Sequence, residues 1–385
     1  MRKKRILMVA SSEDSLVSFR GDFIKNLIKS GFDVFVAAPD FTHKRYPTVI
    51  DYGAKPIHYK LQRTKLNPFK DMATILELKR IITQNSIDLV FPYTVKPVIY
   101  SSIAANFCNV PVISLITGLG FTFTGLTFKA RRLQTLNEFL YKISIRKNKV
   151  IVFQNSDDYQ LFLDRNIIAK NQPVGFVSGS GVNLNLYKYR INDNTTKKIR
   201  FLIVARLIKE KGIGLYIEAA TILKKTYPEA EFHMIGDLFN TPSAMKEDLL
   251  IDLHDQGIIM YHGQQDNVQD HLFKSDVFVL PTYYREGVPR SILEALSVGL
   301  PIITTNTPGC KETVIQNENG FLIEPQNLDA LINAMEYFLI NPSKIKDMGI
   351  NSRKYAEEKF DVNIINANLL NIIDSVLNND KDEII

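Results

Sequence analysis

The sequence predicts an α/β fold with two Rossmann-like, doubly wound domains that face each other across a cleft. Short, continuous apolar runs such as 87–93 and 276–282 alternate with amphipathic helices, which is typical of parallel strands buried on both faces. This pattern occurs twice, before and after the polar segment 179–198, which lacks a strong period and is our candidate linker. The 385 residues are enough for two domains of ordinary size.

Each half of the chain alternates strands with helices. In the first half we predict strands at 4–10, 33–39, 55–61, 87–93, 111–117 and 149–155, and helices at 19–31, 68–85, 97–107 and 129–147. In the second half we predict strands at 199–206, 231–237, 257–263, 276–282 and 300–305, and helices at 212–227, 290–298 and 362–378. We place the domains at 1–185 and 186–361, and expect a C-terminal helix within 362–385 to pack back on the first domain. Open α/β sheets bind ligands at the carboxyl ends of their strands, so we expect the site in the cleft.

Composition and charge limit the function classes. Apolar residues make up 45% and charged residues 23% of the chain, which argues against long disordered segments. The two cysteines are far apart in sequence, which favours a reducing cytoplasm over a disulfide framework. The apolar run after "MRKKR" is too short for a signal peptide, and no segment is an 18-residue apolar span. The net charge of +6 is compatible with binding to nucleic acid, to an anionic membrane face or to anionic substrates. Of these three partners, we do not expect nucleic acid.

A basic cluster follows the uncharged stretch from Val98 to Phe128. Its cations are Lys129, Arg131, Arg132, Lys142, Arg146, Lys147 and Lys149, and the nearby aromatic residues are Phe121, Phe123 and Phe128. Two interpretations stay open: the cluster is a solvated helix face, or it contacts an anionic membrane surface.

Several common catalytic motifs are absent from the sequence. The first strand is followed by no G-x-G-x-x-G fingerprint, and there is no P-loop and no G-x-S-x-G elbow. The histidines lack metal-ligand spacing. His43 and His262 have no evident partner, so we interpret them as structural.

Two cations lie where a predicted strand passes into a predicted helix. Arg206 ends the strand, and Lys211 comes just before Gly212 and the helix. A helix N-terminus favours negative charge, so this pair suits a diphosphate. The alternative is a solvated basic loop.

The stretch "REGVPRSILEAL" follows the strand 276–282 and places two carboxylates around a helix start. Gly287 permits close approach of the backbone to a ligand, and the first N–H groups of the helix can bind a phosphate. Glu286 lies in the loop, and Glu294 lies inside the helix between apolar neighbours. A carboxylate accepts two O–H groups, which suits sugar or ribose hydroxyls. The alternative is a helix-dipole carboxylate beside a solvated one.

The ordered motifs "ARLIKEKG", "HMIGD", "VFVLPTYYREGVPRSILEALSVGLPIITTNTPGCKETV" and "NGFLI" resemble those of the family 4 retaining glycosyltransferases, which have the GT-B fold. The resemblance implies roles for individual residues. Arg206 and Lys211 would bind the donor diphosphate, Glu286 would face the donor sugar, and Glu294 would hold the ribose. The proposed catalytic set is Glu286, Arg206 and Lys211, and the donor-binding set adds Gly236, Gly287, Val288, Pro289, Arg290 and Glu294.

The first half of the chain, with "PYTVKPVIYSSIAA" and "SLITGLGFTFTG", resembles bacterial enzymes of O-antigen, capsule and protein-glycan assembly. Candidates on the acceptor side are Arg20, Lys96, Thr117 and Gly118. Many relatives carry a histidine where this chain has Thr117, so no role for that histidine is carried over. The resemblance implies a UDP-sugar donor, a polyprenyl-diphosphate-linked saccharide acceptor, no metal or other cofactor, and a peripheral location on the inner face of the cytoplasmic membrane. The alternatives are a nonhydrolysing UDP-sugar 2-epimerase and a non-catalytic nucleotide-sugar or membrane-surface binding protein.

Overall fold

A computed structural model describes residues 2–39, 41, 45–62, 67–120, 128–190, 198–238, 241 and 243–378, with the backbone alone at 128–131. The chain forms two compact units. The first comprises Met1–Ser180 and Val362–Ile385, and the second comprises Gly181–Asp361. The chain thus passes into the second unit after Ser180, earlier than the boundary after residue 185 that we expected.

The first unit is built on parallel strands. They are β1 (Arg5–Val9), β2 (Asp33–Ala38), β3 (Lys55–His58), β4 (Leu89–Pro92), β5 (Ile113–Ile116), β6 (Val150–Phe153) and β7 (Val174–Phe176). They pair in the orders β3-β2-β1-β4 and β5-β6-β7. Parallel bridges from Val90 to Val112 and from Tyr93 to Leu115 join the two groups.

The helices of the first unit cover both faces of this sheet. They are α1 (Glu13–Lys29), α2 (Arg45–Asp51), α3 (Pro68–Gln84), α4 (Val95–Phe107), α5 (Phe128–Ser144), α6 (Ser156–Asp164) and the C-terminal α13 (Val362–Asn378). Ile6 and Met8 pack in one core with α1 and α13, whereas Leu7 and Val9 pack in another with α3, α4, α5 and α6. Because successive strand residues point to opposite faces, both faces are apolar and both are covered.

Helix α1 begins earlier than the predicted 19–31. Ser12 takes the extended N-cap conformation, and Glu13 and Asp14 occupy the first turn, where carboxylates interact favourably with the helix dipole. The sequence pattern did not reveal α2, α6 or β7, which are short. Asn155 caps α6 by accepting a hydrogen bond from the backbone N–H of Asp158 at 2.8 Å.

The second unit has a parallel sheet of six strands in the order β10-β9-β8-β11-β12-β13. The strands are β8 (Arg200–Val204), β9 (Glu231–Ile235), β10 (Met260–Tyr261), β11 (Val277–Leu280), β12 (Ile302–Thr305) and β13 (Gly320–Ile323). The helices are α7 (Ile213–Thr226), α8 (Glu247–Asp255), α9 (Val268–Lys274), α10 (Arg290–Val298), α11 (Leu328–Ile340) and α12 (Ser343–Tyr355). One apolar core spans this unit.

The strand order of the second unit reverses between β8 and β11. From β8 the chain proceeds outward to β9 and β10, and from β11 it proceeds the other way to β12 and β13. Loops leaving the carboxyl ends of two such adjacent strands diverge, and the space between them is where doubly wound sheets bind ligands.

Candidate active site

The loops that follow β8 and β11 are joined through one carbonyl group. The backbone oxygen of Glu210 accepts hydrogen bonds from the backbone N–H groups of Tyr283 and Tyr284 at 2.9 and 3.1 Å. It also accepts one from the Thr282 hydroxyl at 3.0 Å. The reversal of strand order therefore brings the predicted residues Arg206 and Lys211 beside the loop that carries Glu286.

Lys211 and Glu286 form an ion pair in which the Lys211 Nζ donates a hydrogen bond to the Glu286 Oε1. Their side chains are only 10% and 13% exposed, so their attraction is screened less than that of a surface pair. Gly212 follows Lys211 with φ of +75°, and a Cβ there would lie 2.1 Å from the Pro281 carbonyl oxygen. Only glycine fits, and it brings the start of α7 against the end of β11.

The Tyr284 ring lies close to both predicted cations. The Arg206 guanidinium carbon and the Lys211 Nζ are each 5.4 Å from its centroid. Both distances are within the range of cation–π attraction, which offsets part of the repulsion between like charges. Arg206 is exposed, so the site presents two converging cations, one open to solvent. This arrangement suits a ligand with two adjacent negative charges.

The start of α10 lies against the loop after β12. Gly309 has φ of +79°, and a Cβ there would lie 1.5 Å from the Gly287 carbonyl oxygen. The two backbones therefore touch, which fixes the predicted segment Gly287–Arg290. Pro289 stands at the N-cap of α10 and supplies no side-chain cap. The N-terminus of a helix favours negative charge, so the start of α10 suits an anionic ligand.

Glu294 is 91% buried on α10 and is paired with Arg290, with Tyr187 nearby. The Arg290 Nε donates a hydrogen bond to its Oε1 at 2.8 Å, one helical turn away. The Tyr187 phenol also lies close enough to Glu294 and Arg290 for both groups to shift its pKa. Burial, and then the Glu294 charge, raise the pKa of the Tyr187 phenol above its usual value. The carboxylate is thus buried and paired with Arg290, and it is not an exposed helix-dipole group.

Tyr187 is itself fixed to α10 through its backbone. Its carbonyl oxygen accepts hydrogen bonds from the Ser297 hydroxyl at 2.6 Å and from the Arg353 guanidinium at 3.2 Å. Arg353, on α12, also donates to the Ser297 carbonyl oxygen at 2.8 Å. The segment that we took for a linker therefore contributes a side chain to the site.

Gly236 and Cys310 complete the surroundings of the site. A Cβ on Gly236 would lie 1.9 Å from the Ala205 carbonyl oxygen, so glycine is needed where the ends of β8 and β9 approach. Cys310 is fully buried, and burial together with the Glu286 charge raises the pKa of its thiol to about 12. A protonated thiol is a poor nucleophile, so covalent chemistry at this cysteine is not favoured.

Three residues of this arrangement were not found by sequence reasoning. The Pro-Gly pair at 308–309 is a turn signal that would have directed attention to Gly309. Tyr284 is adjacent to the predicted loop, but its contact with two cations depends on the fold. Tyr187 carries no local signal, because its partners lie more than a hundred positions later in the chain.

The acceptor-side candidates lie in the first unit. Lys96, in the first turn of α4, donates to the Gln62 carbonyl oxygen at 2.6 Å and lies 3.5 Å from the Asp71 carboxylate. Burial lowers the pKa of Lys96, and the Asp71 charge opposes this. Arg20 is 2% exposed, with its guanidinium carbon 5.6 Å from the Tyr93 ring centroid.

Thr117 and Gly118 follow the end of β5 and are partly exposed. The aromatic loop beyond them, residues 121–127 with Phe121 and Phe123, lies outside the described part of the chain.

At the ends of β1 and β4, the Thr94 hydroxyl donates to the Ser11 hydroxyl at 3.1 Å. Thr94 has φ of +67° and ψ of 158°, a backbone conformation that is costly for a β-branched residue.

The interpretation of His262 as a residue without a partner was wrong. Its Nε2 lies 2.9 Å from the Nδ1 of His233, and its ring centroid lies 4.7 Å from that of His271. Strands β9 and β10 are adjacent, which the sequence pattern does not reveal. His43 lies outside the described residues.

Within the described ranges no group of three His, Cys, Asp or Glu side chains is arranged to hold a metal ion. No helix there is long and apolar enough to cross a membrane.

Comparison with known proteins covers both units. Residues 188–355 match the family Glycosyl transferases group 1, and residues 5–155 match the family Glycosyl transferase 4-like. The chain is 30% identical over 286 residues to the UDP-Gal:alpha-D-GlcNAc-diphosphoundecaprenol alpha-1,3-galactosyltransferase of Escherichia coli, covering 69% of this chain and 70% of that protein. It is 27% identical to the N,N'-diacetylbacillosaminyl-diphospho-undecaprenol alpha-1,3-N-acetylgalactosaminyltransferase of Campylobacter jejuni. That match covers 97% of this chain and 100% of the Campylobacter protein.

Two solved structures share the fold. A glycosyltransferase from Rickettsia africae superposes with a TM-score of 0.78 at 20% identity, covering 98% of this chain and 100% of that one. Anabaena HepE, in complex with UDP and glucose, superposes with a TM-score of 0.77 at 16% identity. That superposition covers 97% of this chain and 100% of the HepE chain.

Two doubly wound α/β units, with converging cations at the strand reversal of the second, define a GT-B glycosyltransferase, and the predicted fold class is confirmed. The chain belongs to the family 4 glycosyltransferases, as its match to the Escherichia coli enzyme and to both family descriptions shows. It is an enzyme of glycosyl transfer, which sets the 2-epimerase alternative aside.

Proposed function

We propose that this glycosyltransferase moves a hexose or N-acetylhexosamine from a UDP-sugar to an undecaprenyl-diphosphate-linked saccharide, in the assembly of a surface polysaccharide or protein glycan. The observation that supports this best is the convergence of Arg206, Lys211 and the start of α10 at the strand reversal between β8 and β11. The printed names of the Campylobacter and Escherichia coli relatives, which act on such lipid-linked sugars, support the acceptor.

The charges of the site suggest how the transfer is catalysed. The bond between the sugar C1 and the diphosphate oxygen breaks, and negative charge grows on the leaving diphosphate. Arg206, Lys211 and the first N–H groups of α10 stabilise that charge more strongly as it develops, which lowers the barrier. Glu286 and Glu294 accept hydrogen bonds from hydroxyl groups of the donor sugar and the ribose, and do not act as an acid/base pair.

We further propose that the configuration at C1 is retained and that no metal ion takes part. The acceptor hydroxyl attacks from the face that the diphosphate leaves. A bond forms between the acceptor oxygen and C1, and the acceptor proton passes to a diphosphate oxygen. No protein nucleophile is needed, which agrees with the protonated state of Cys310. Because the acceptor is lipid-linked, the enzyme works at the inner face of the cytoplasmic membrane.

The test is UDP release measured with and without a lipid-linked acceptor. Purified protein is mixed with each of several nucleotide sugars, including UDP-galactose and UDP-N-acetylgalactosamine, and with undecaprenyl-diphosphate-linked monosaccharides. We expect release that depends on the acceptor for at least one pair, and product with the anomeric configuration of the donor by NMR. If no nucleotide sugar gives acceptor-dependent release, the proposed reaction is wrong, and inverted product would contradict retention alone.

A further inference from the structure

Tyr284 meets both cations of the site with its aromatic ring. The ring centroid lies 5.4 Å from the Arg206 guanidinium carbon and 5.4 Å from the Lys211 Nζ. Within the described part of the chain, the hydrogen bonds that Tyr284 makes all use its backbone N–H. What its side chain offers the site is therefore the ring, whose face carries partial negative charge and attracts cations.

The backbone of Tyr284 is fixed beside Lys211. Its N–H donates to the Glu210 carbonyl oxygen and to the Thr282 hydroxyl oxygen, each at 3.1 Å. Glu210 directly precedes Lys211, and the Thr282 hydroxyl donates to the same Glu210 carbonyl at 3.0 Å. Thr282 is fully buried, and its own carbonyl oxygen accepts a hydrogen bond from the Thr305 hydroxyl. The place of the ring is thus set by the backbone at the ends of β8 and β11.

The ring differs in kind from the carboxylate that Lys211 also contacts. Glu286 neutralises the ammonium group when it accepts its hydrogen bond, so an anionic ligand has to compete with it. A ring orients the ammonium group without neutralising it, because the attraction comes from a quadrupole and not from a charge. An ammonium group also has three N–H donors, so Lys211 can bind a phosphate while it stays beside the ring.

Arg206 gains a second benefit from the ring, because its side chain is exposed. A long, exposed side chain samples many rotamers, and only a few of them present the guanidinium fork to a phosphate. Attraction to the Tyr284 ring favours the rotamers that keep Arg206 near Lys211. It also offsets part of the repulsion between the two cations.

We propose that Tyr284 is a positioning residue that holds Arg206 and Lys211 together, fully charged, for a ligand with two linked phosphates. Its ring carries this role, and its hydroxyl does not. An aliphatic side chain would leave the two cations to repel each other, and a carboxylate would neutralise them. The inference rests on the proposed function in that the diphosphate is that of the nucleotide-sugar donor.

The experiment compares Tyr284→Phe, which keeps the ring, with Tyr284→Leu, which removes it. The dissociation constants of UDP and UMP are measured by calorimetry, and the thermal unfolding midpoint shows that each variant is folded. We expect Tyr284→Leu to raise the Kd of UDP about tenfold, within the range of one or two cation–π contacts. The Kd of UMP, which has a single phosphate, should rise about threefold or less. Tyr284→Phe should bind both nucleotides within about twofold of the wild type.

A double-mutant cycle separates positioning from a general loss of packing. In the Arg206→Ala background, Tyr284→Leu should raise the Kd of UDP only about threefold, because the contact with Arg206 is already gone. Tyr283→Leu is the matched control. Tyr283 shares the backbone hydrogen bond to Glu210, but burial and then the Glu210 charge raise the pKa of its phenol, so its ring lies near a carboxylate. Its UDP affinity should stay within about twofold of the wild type.

Unchanged UDP affinity in Tyr284→Leu would overturn the proposal, and so would equal losses in Tyr284→Phe and Tyr284→Leu. Equal losses of UDP and UMP affinity, or a full tenfold loss in the Arg206→Ala background, would also overturn it by indicating a purely structural role. Nucleotide binding needs no transfer, so failure of the proposed reaction is distinguished by the absence of acceptor-dependent UDP release. If the reaction holds, Tyr284→Leu should lower kcat about tenfold and Tyr284→Phe should keep it.

Discussion

Lys211 donates a hydrogen bond to the Glu286 carboxylate where the loops after β8 and β11 meet, 75 residues apart in the chain. The cation proposed to stabilise the leaving diphosphate is thus paired with the carboxylate proposed to bind the donor sugar. A donor diphosphate must compete with Glu286 for this ammonium group. When it succeeds, the carboxylate is released to accept hydrogen bonds from sugar hydroxyls, so diphosphate binding and sugar binding are linked.

Removing either cation should slow transfer. We expect Lys211→Ala or Arg206→Ala to lower kcat about 100-fold or more, by analogy with the loss of one oxyanion donor. Lys209→Ala is the matched control, because Lys209 lies in the same turn with an exposed side chain and should retain near wild-type rates. Steady-state UDP release measures the effect, and wild-type rates in both cation variants would refute their assignment.

Substituting Glu286 should separate sugar binding from diphosphate binding. Glu286→Gln keeps the shape of the side chain and removes the charge that neutralises Lys211. We expect the KM for the UDP-sugar to rise at least about tenfold, since hydrogen bonds to a charged acceptor are the stronger ones. The inhibition constant of UDP, which has no sugar, should stay the same or fall. If the KM for the UDP-sugar and the inhibition constant of UDP rose together, Glu286 would not act on the donor sugar.

Tyr187 should act through Glu294 as a positioning residue. Tyr187→Phe removes the hydroxyl that lies beside Glu294 and Arg290, so UDP should inhibit about threefold to tenfold more weakly, which corresponds to about 0.7–1.4 kcal/mol. The 2'-deoxy and 3'-deoxy forms of UDP each lack one ribose hydroxyl. For the form that lacks the hydroxyl bound by Glu294, wild type and Tyr187→Phe should be inhibited equally. Tyr189→Phe is the control. Equal losses with UDP and both deoxy analogues would indicate a purely structural role.

Gly309 should tolerate no side chain, because a Cβ would lie 1.5 Å from the Gly287 carbonyl oxygen. Gly309→Ala should cost more than about 3 kcal/mol of unfolding free energy, combining the clash with an unfavourable backbone conformation. Gly257 also has a positive φ but nothing within 4 Å of the added atom, so Gly257→Ala should cost only about 1 kcal/mol. Denaturant unfolding measures both, and similar values would contradict the close approach of the two loops.

The cluster of His233, His262 and His271 should make stability depend on pH. Burial, followed by the neighbouring histidines, lowers the pKa of His262 from 6.5 to about 4. Between these values the unfolded chain binds a proton that the folded protein does not, so stability falls as pH decreases from about 6.5 toward about 4. His262→Gln should make the thermal unfolding midpoint less sensitive to pH in this window, whereas His58→Gln, in the other unit, should not. Equal pH sensitivity in all three proteins would contradict the assignment.

The sequence predicted the elements that local chemistry controls. Continuous apolar runs identified β1, β4, β8 and β11, because strands covered on both faces need apolar residues at every position. Gly299 ends α10 with φ of +87°, as expected for a helix stop. The early start of α1 was missed, since its first turn is polar and lies outside the apolar period that we followed. Predicted roles of the acceptor-side residues stay predictions.

What the sequence by itself determined is therefore the alternation of buried strands with helices, and the presence of two cations and two carboxylates at strand ends. The tertiary structure alone decided which of these meet. Strand order placed β8 beside β11 and so paired Lys211 with Glu286, and it placed β9 beside β10 and so brought His233 to His262. The packing of the segment before β8 on α10 brought Tyr187 to Glu294. Local periodicity reports which face of an element is apolar, whereas contacts between distant residues depend on how whole elements pack, and no short stretch of sequence encodes that.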